Sequence, residues 1–285
     1  MIPQSFDYSA PVTLEEALDL LSTDGAKVLA GGMSLVPLMK LRLASPERLV
    51  DLRRLSELSF IREEGGIVRI GAMTTHYGIE SSLLLHEKCR LLAETASHIG
   101  DVQVRNMGTI GGSLAHADPA ADYPAALLAL EAQVRLVSKA GERTLAYEDF
   151  LIDTFATALE PGEIVAEVMI PAETNGARVS YQKMAHPASG FAVIGVAARV
   201  ERSNGKLGSV RIGVTGLSPK AFRARNVEEQ LTGQEVSETA VRSAVAQIND
   251  GVDANSDLYA SANYRKQMAT VYARRALAAA MEPAR

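Results

Sequence analysis

Two glycine pairs, each closing on a serine, constrain this chain more than any other feature in it. The first stands in Ala30-Gly31-Gly32-Met33-Ser34 and the second in Gly108-Thr109-Ile110-Gly111-Gly112-Ser113. Glycine takes positive φ at no steric cost and lets backbone N–H groups approach a ligand closely. Successive amides in such a turn form a concave nest for anionic oxygens. A helical pattern follows the first pair at Leu35, Leu38, Met39 and Leu41, so a helix N-terminus adds its dipole there. Each pair alone is also what a plain tight turn requires. Two such loops suit a ligand with two phosphates, and on spacing alone both readings stay open.

Other well-known nucleotide and metal motifs are missing. No two glycines stand two apart, so the chain has no G-x-G-x-x-G fingerprint, and it has neither a P-loop nor an H-E-x-x-H helix motif. Its five histidines are scattered, and its net charge of −5 leaves no electrostatic footprint for nucleic acid. The pairs Arg223/Arg225 and Arg274/Arg275 read as solvated helix surface. Cys89 is the one cysteine, which excludes an internal disulfide and a multi-cysteine metal site. A reducing compartment, most simply the cytoplasm, is expected. Residues 1–7 hold no basic residue and no apolar run, and nothing reaches the roughly 18 apolar residues of a membrane span.

Hydrophobic periodicity divides the 285 residues near position 175. Thr13-Leu14-Glu15-Glu16 is a capping box for a short helix, followed by strands over 26–30 and 48–52. A hairpin over 58–63 and 67–71, a cap at Thr74 or Thr75, a helix over 87–99 and a long loop over 100–119 come next. Asp122 caps a further helix, and strands follow over 133–138 and 163–170. Beyond the boundary, three strands over 178–184, 191–201 and 207–215 precede helices over 220–231, 237–250 and 262–280. The class is α+β, with a three-stranded antiparallel sheet and a helical bundle in the second part.

Asp118 and Asp122, with His116 before them, follow the second glycine pair. Paired carboxylates serve acid–base chemistry or Mg²⁺ binding. Asp122 serves equally as a helix cap and as a hydrogen-bond acceptor for a ribose. His98 and His116 are either ordinary loop and core polar residues or ligand contacts. Cys89 reads as a small buried hydrophobe.

At the two loops the chain resembles the FAD-binding medium subunit of the molybdenum hydroxylases, the xanthine oxidase and carbon monoxide dehydrogenase family. The resemblance covers nearly the whole chain. It rests on 1–3 with Ser5-Phe6-Asp7-Tyr8, the Ala-Gly-Gly-x-Ser loop at 30–34, Leu41-Arg42-Leu43 and Ile70-Gly71-Ala72-Met73-Thr74-Thr75-His76. Further matches are the run from Gln103 to Ser113, Tyr264-Arg265-Lys266 and Arg274-Arg275-Ala276-Leu277.

The resemblance implies a two-part FAD-binding domain of the PCMH/vanillyl-alcohol-oxidase type, with subdomains 1–55 and 56–174, then a C-terminal domain over 175–285. It implies that Ala30, Gly31, Gly32, Met33, Ser34 and Leu35 cradle the FAD diphosphate together with Thr109, Ile110, Gly111, Gly112 and Ser113. By the same resemblance Asp122 lies near the ribitol or ribose, and Ile164 and Val165 cover the isoalloxazine. Lys183 lies near the flavin ring, and Phe191 falls where some members place an aromatic over it. Two departures bear on substrate. Carbon monoxide dehydrogenases often carry His where this chain has Met33, and can carry Asp-Tyr where it has Gly190-Phe191. The run His186-Pro187-Ala188-Ser189-Gly190 looks more like members acting on aldehydes, purines or N-heterocycles.

In that family the flavin is a relay. A large subunit with the molybdopterin cofactor oxidises the substrate, a small subunit with two [2Fe–2S] clusters carries single electrons, and FAD passes them to an external acceptor. The implied assembly is a dimer of heterotrimers, cytoplasmic, with peripheral association at the inner face of the membrane as an alternative. The lone cysteine fits, because each cluster needs four thiolates from another chain. Two other readings stand beside this one: a self-contained flavin oxidase, which needs a base or covalent link such as His76 or His98, and a protein that only docks partners.

Overall fold

The computed structural model describes residues 2–173 and 176–282. Residues 174 and 175, where the sequence boundary falls, and residue 1, which carries part of the family resemblance, lie outside the described residues. The N-terminal part begins with a small parallel sheet in which Arg48–Asp51 is central, flanked by Asp7–Ser9 and Ala26–Leu29. The edge strand Asp7–Ser9 has too few residues for an alternation signal. Thr13 caps the helix Leu14–Leu21 by accepting from the Glu16 amide at 3.2 Å. The expected capping box is only half made, because the Glu16 carboxylate accepts from the Val12 amide instead.

An antiparallel sheet of five strands follows, in the order Ile61–Glu64, Ile67–Gly71, Ile164–Pro171, Gln133–Ser138, Gly141–Ala146. One face carries Glu167, fully buried between the guanidinium groups of Arg69 and Arg135, and packs Val137 and Ile164 against the N-terminal helix and sheet. Its other face and a layer of short helices make the largest core, which also takes in Tyr181, Ala197 and Ala221 from beyond the boundary. The strand Gly141–Ala146 is missing from the sequence reading because only its alternate residues are partly covered.

Two sequence expectations change in the helical layer. The region 100–119 is not a loop: it holds the helices Val102–Met107 and Ile110–His116, capped by Asp101 and Thr109. Both are under two turns long, too short for periodicity to register. The expected helix over 87–99 is broken at Cys89 into Leu83–Lys88 and Arg90–Ser97, because Cys89 leaves helical dihedrals (φ −158°, ψ 54°). Cys89 is fully buried, and burial pushes its thiol far up, as a structural hydrophobe requires.

The C-terminal part is an antiparallel sheet of Arg178–Ala185, Ala192–Ser203, Lys206–Thr215 and a fourth, two-residue strand Phe222–Arg223. The fourth strand displaces the start of the expected helix over 220–231 to Arg225–Leu231. The helices Glu238–Val245 and Ala262–Met281 complete this layer, with a core of aliphatic strand residues against the alanine face of the last helix. The helix Tyr123–Ala129 packs against both the N-terminal helices and the C-terminal sheet and is buried throughout. Its all-apolar sequence reflects that position.

Candidate cofactor site

The first glycine pair turns the chain between the strand Ala26–Leu29 and the helix Leu35–Lys40, with Gly32 at φ +73°. Among the described residues, none of the five consecutive amides from Gly31 to Leu35 has a hydrogen-bond acceptor. Unpaired backbone donors on this scale are uncommon unless water or a ligand takes them. Met33 is exposed, and Ser34 makes no side-chain cap, so its hydroxyl is also uncommitted. The arrangement is an anion nest.

The second pair has a different job. Gly111 donates to the Ala72 carbonyl at 2.8 Å, Gly112 to the Thr109 hydroxyl at 3.2 Å and Ser113 to the Thr109 carbonyl at 3.0 Å. Two of these amides are spent on the first turn of the helix Ile110–His116 and the third on the Ala72 backbone. A Cβ at Gly111 would stand 2.5 Å from the Ala72 Cβ and 2.8 Å from its carbonyl oxygen. The glycine is there for close packing. Ile110 is buried in the core and Thr109 is buried as the cap, leaving the Ser113 hydroxyl as this segment's free donor among the described residues.

The two segments nevertheless meet. A Cβ at Gly31 would lie 2.1 Å from the Met107 carbonyl oxygen, and one at Gly112 would lie 3.3 Å from the Ala30 Cβ. The nest is therefore seated directly on the backbone that leads into the second segment. That seating fits a diphosphate group, which needs several convergent donors and close backbone approach.

A chain of contacts runs from this seat to Asp122. The His76 amide donates to the Gly108 carbonyl at 2.9 Å, and His76 Nδ1 is 3.1 Å from the Tyr123 hydroxyl. His76 is buried and its pKa falls to about 4, through desolvation first and the charge of Arg105 second. It is a neutral structural link, not an exposed base or attachment point.

Asp122 occupies the N-cap position of the helix Tyr123–Ala129 but does not cap it: its dihedrals are helical and its side chain makes no bond to the helix amides. The expected cap gives way to a stronger tertiary set. Asp122 Oδ2 accepts from Lys183 Nζ at 2.8 Å and Oδ1 accepts from the Tyr181 hydroxyl at 2.5 Å. Lys183 Nζ also donates to the His98 carbonyl at 2.8 Å. Asp122 and the Lys183 side chain are both almost wholly buried. Desolvation raises the Asp122 pKa to about 6 against the lowering pull of Lys183 and Tyr181.

The remaining sequence candidates are placed less evenly. Ile164 and Val165, adjacent on one strand, point to opposite faces and are 3% and 4% exposed, each inside a packed core. Phe191 is 42% exposed, beside Gly190, whose Cβ position lies 3.5 Å from the Gly100 Cα. His116 packs against Phe155 and Asp118 accepts from the Ala120 amide, so neither joins the Asp122 cluster. Two concavities of about 260 and 560 Å³ are lined by none of the candidate residues. Sequence reasoning missed Tyr181, although it lies two residues before Lys183 on one strand and so shares its face.

Comparison with known proteins bears on the whole chain. Residues 4–173 match the family described as FAD binding domain in molybdopterin dehydrogenase, and residues 179–280 match the CO dehydrogenase flavoprotein C-terminal domain. The carbon monoxide dehydrogenase medium chain of Hydrogenophaga pseudoflava is 40% identical, with 98% of each chain covered. The 6-hydroxypseudooxynicotine dehydrogenase complex subunit alpha of Paenarthrobacter nicotinovorans is 37% identical over 100% of this chain and 97% of its own. A solved chain of the Hydrogenophaga pseudoflava carbon monoxide dehydrogenase that lacks the Mo-pyranopterin moiety superposes with a TM-score of 0.95 at 41% identity, 98% of each chain being covered. With the nest, the match along both parts and the shared fold together, the chain belongs to the FAD-binding, carbon monoxide dehydrogenase-like medium-chain family of the molybdopterin dehydrogenases, as an oxidoreductase subunit.

Proposed function

We propose that this chain holds FAD non-covalently as the electron-relay subunit of a molybdenum hydroxylase, between an iron–sulfur subunit and an external acceptor. The single observation that carries the reading is the run of five unpaired amides at Gly31–Leu35, seated on the Met107–Gly108 backbone. Those amides and the hydroxyls of Ser34 and Ser113 would bind the diphosphate, while Thr109, Ile110, Gly111 and Gly112 would hold the segment beneath it. Asp122 and Lys183 would present a fixed carboxylate and ammonium to the ribityl and ring region, with Phe191 at its edge. Ile164 and Val165 would contribute through the packed wall behind them. When bound, FAD supplies the exchange between single-electron and two-electron chemistry, and the protein supplies position and electrostatics.

The molybdopterin cofactor and the [2Fe–2S] clusters belong to the partner subunits in this reading, consistent with a single, buried cysteine here. Among the described residues no helix is long and apolar enough to cross a membrane, and no group of three or more metal-ligating side chains assembles. The substrate is set elsewhere in the complex: a carbon monoxide dehydrogenase chain and a subunit of a 6-hydroxypseudooxynicotine dehydrogenase complex are almost equally similar.

The test is purification of the chain alone and with its two partner subunits. The chain should take up one FAD, released intact by denaturation, and should turn over no substrate by itself. Substrate should reduce the flavin only when both partners are present. A chain that stays colourless with excess FAD sinks the binding reading, and flavin reduction without the iron–sulfur subunit sinks the relay.

A further inference from the structure

Tyr181 has no part in the roles assigned so far, yet its hydroxyl is closely confined within the cluster. It lies 2.5 Å from Asp122 Oδ1, in a side chain that is 1% exposed. A Cβ at Gly195, on the neighbouring strand, would stand 2.3 Å from that hydroxyl and 2.7 Å from the Thr215 Cγ2. Gly195 is opposite Lys183 in the register, so the sheet leaves one bare position beside the lysine, and the tyrosine hydroxyl fills it. Helical dihedrals at Asp122 and Pro124 in the first turn already turn its carboxylate away from the amides of its own helix. Its place in the cluster is set by side chains, and Lys183 alone reaches only one of its oxygens.

We propose that Tyr181 is a positioning residue of the cofactor site: its hydroxyl fixes the Asp122 carboxylate onto Lys183, and Gly195 is the space that admits it. This rests on the reading of Asp122 and Lys183 as cofactor-facing groups. The consequence is a pH dependence. A carboxylate that loses one of two charge-assisted bonds in a buried site is ionised less readily. Removing the hydroxyl therefore moves the protonation of Asp122 to higher pH. Other groups facing the cluster are His98, whose ring packs edge-on to Tyr181, Glu94, which accepts from the Tyr181 amide, and Tyr123. Arg105 and Glu80, paired with each other, act from the next helices. His98 is lowered by burial, Lys183 and Arg105, so it is the competing source of a step.

The experiment measures the FAD dissociation constant of the full chain by flavin fluorescence between about pH 5 and 9, in wild type, Tyr181→Phe, Gly195→Ala, the double variant, Asp122→Asn and His98→Asn. Wild type should show a step in affinity that is absent in Asp122→Asn and retained in His98→Asn. Tyr181→Phe should move the step up by about one pH unit. Gly195→Ala should do the same, and should weaken binding less in the Tyr181→Phe background than alone, because the hydroxyl it displaces is already gone. An unmoved step in folded Tyr181→Phe, or additive effects in the double variant, overturns the proposal. If Tyr181→Phe does not fold, a step that survives in Asp122→Asn overturns it, and a step lost there with a shifted one in Gly195→Ala supports it. Failure of wild type to bind FAD is a different result and strikes the cofactor reading instead.

Discussion

The two glycine segments look alike in sequence and differ in what their backbones do. Among the described residues, five amides over 31–35 are left without acceptors, while over 111–113 all three are bonded within the chain. In the proposed function the first is the binding surface, and the second is a support that brings a helix close enough to carry it. A glycine pair therefore reports a need for close approach, and the approaching group is the Met107 backbone in one case and Ala72 in the other.

The contrast can be broken by four substitutions, each read for FAD affinity and for stability. The largest effect is expected at Gly31→Ala, where the new methyl meets the Met107 carbonyl and lifts the nest off its seat. Loss of charge-assisted bonds there should weaken FAD by about 1.5–3 kcal/mol, roughly tenfold to a hundredfold, in a fluorescence titration. Gly111→Ala should act the other way round. Its collision with Ala72 should cost about 1–3 kcal/mol in denaturant unfolding of the FAD-free chain, and the affinity loss should follow from that.

Thr109→Ala removes the cap that accepts from Gly112 and should cost about 1 kcal/mol of stability by the same unfolding measurement. Ser113→Ala is the smallest and the sharpest. Its hydroxyl has no partner among the described residues, so FAD-free stability should stay within about 0.5 kcal/mol of wild type while FAD affinity falls severalfold. Equal losses of affinity and stability at all four positions would erase the distinction between nest and support.

Much of the framework is legible in the sequence because it rests on local patterns. The strands around the first glycine loop, the hairpin at 61–71 and the long C-terminal strands follow from alternation and turn residues. The helices Val102–Met107 and Ile110–His116 are not legible, since six or seven residues hold too little periodic signal and glycines occupy one of them. Asp122 reads as a cap because local chemistry favours that use. The competing partners, Tyr181 and Lys183, are 59 and 61 residues away in sequence.

Two close-approach glycine segments, a run of short α/β units and a second all-antiparallel part are legible in the order of residues, because backbone freedom and hydrophobic period are properties of neighbouring residues. Which glycine pair keeps its amides unbonded among the described residues, and which carboxylate is held by a lysine and a tyrosine, follows from how distant segments pack. The physical reason is the same in both cases. A donor or acceptor is defined by what is left to bond with it, and that is known only once distant segments have taken their places.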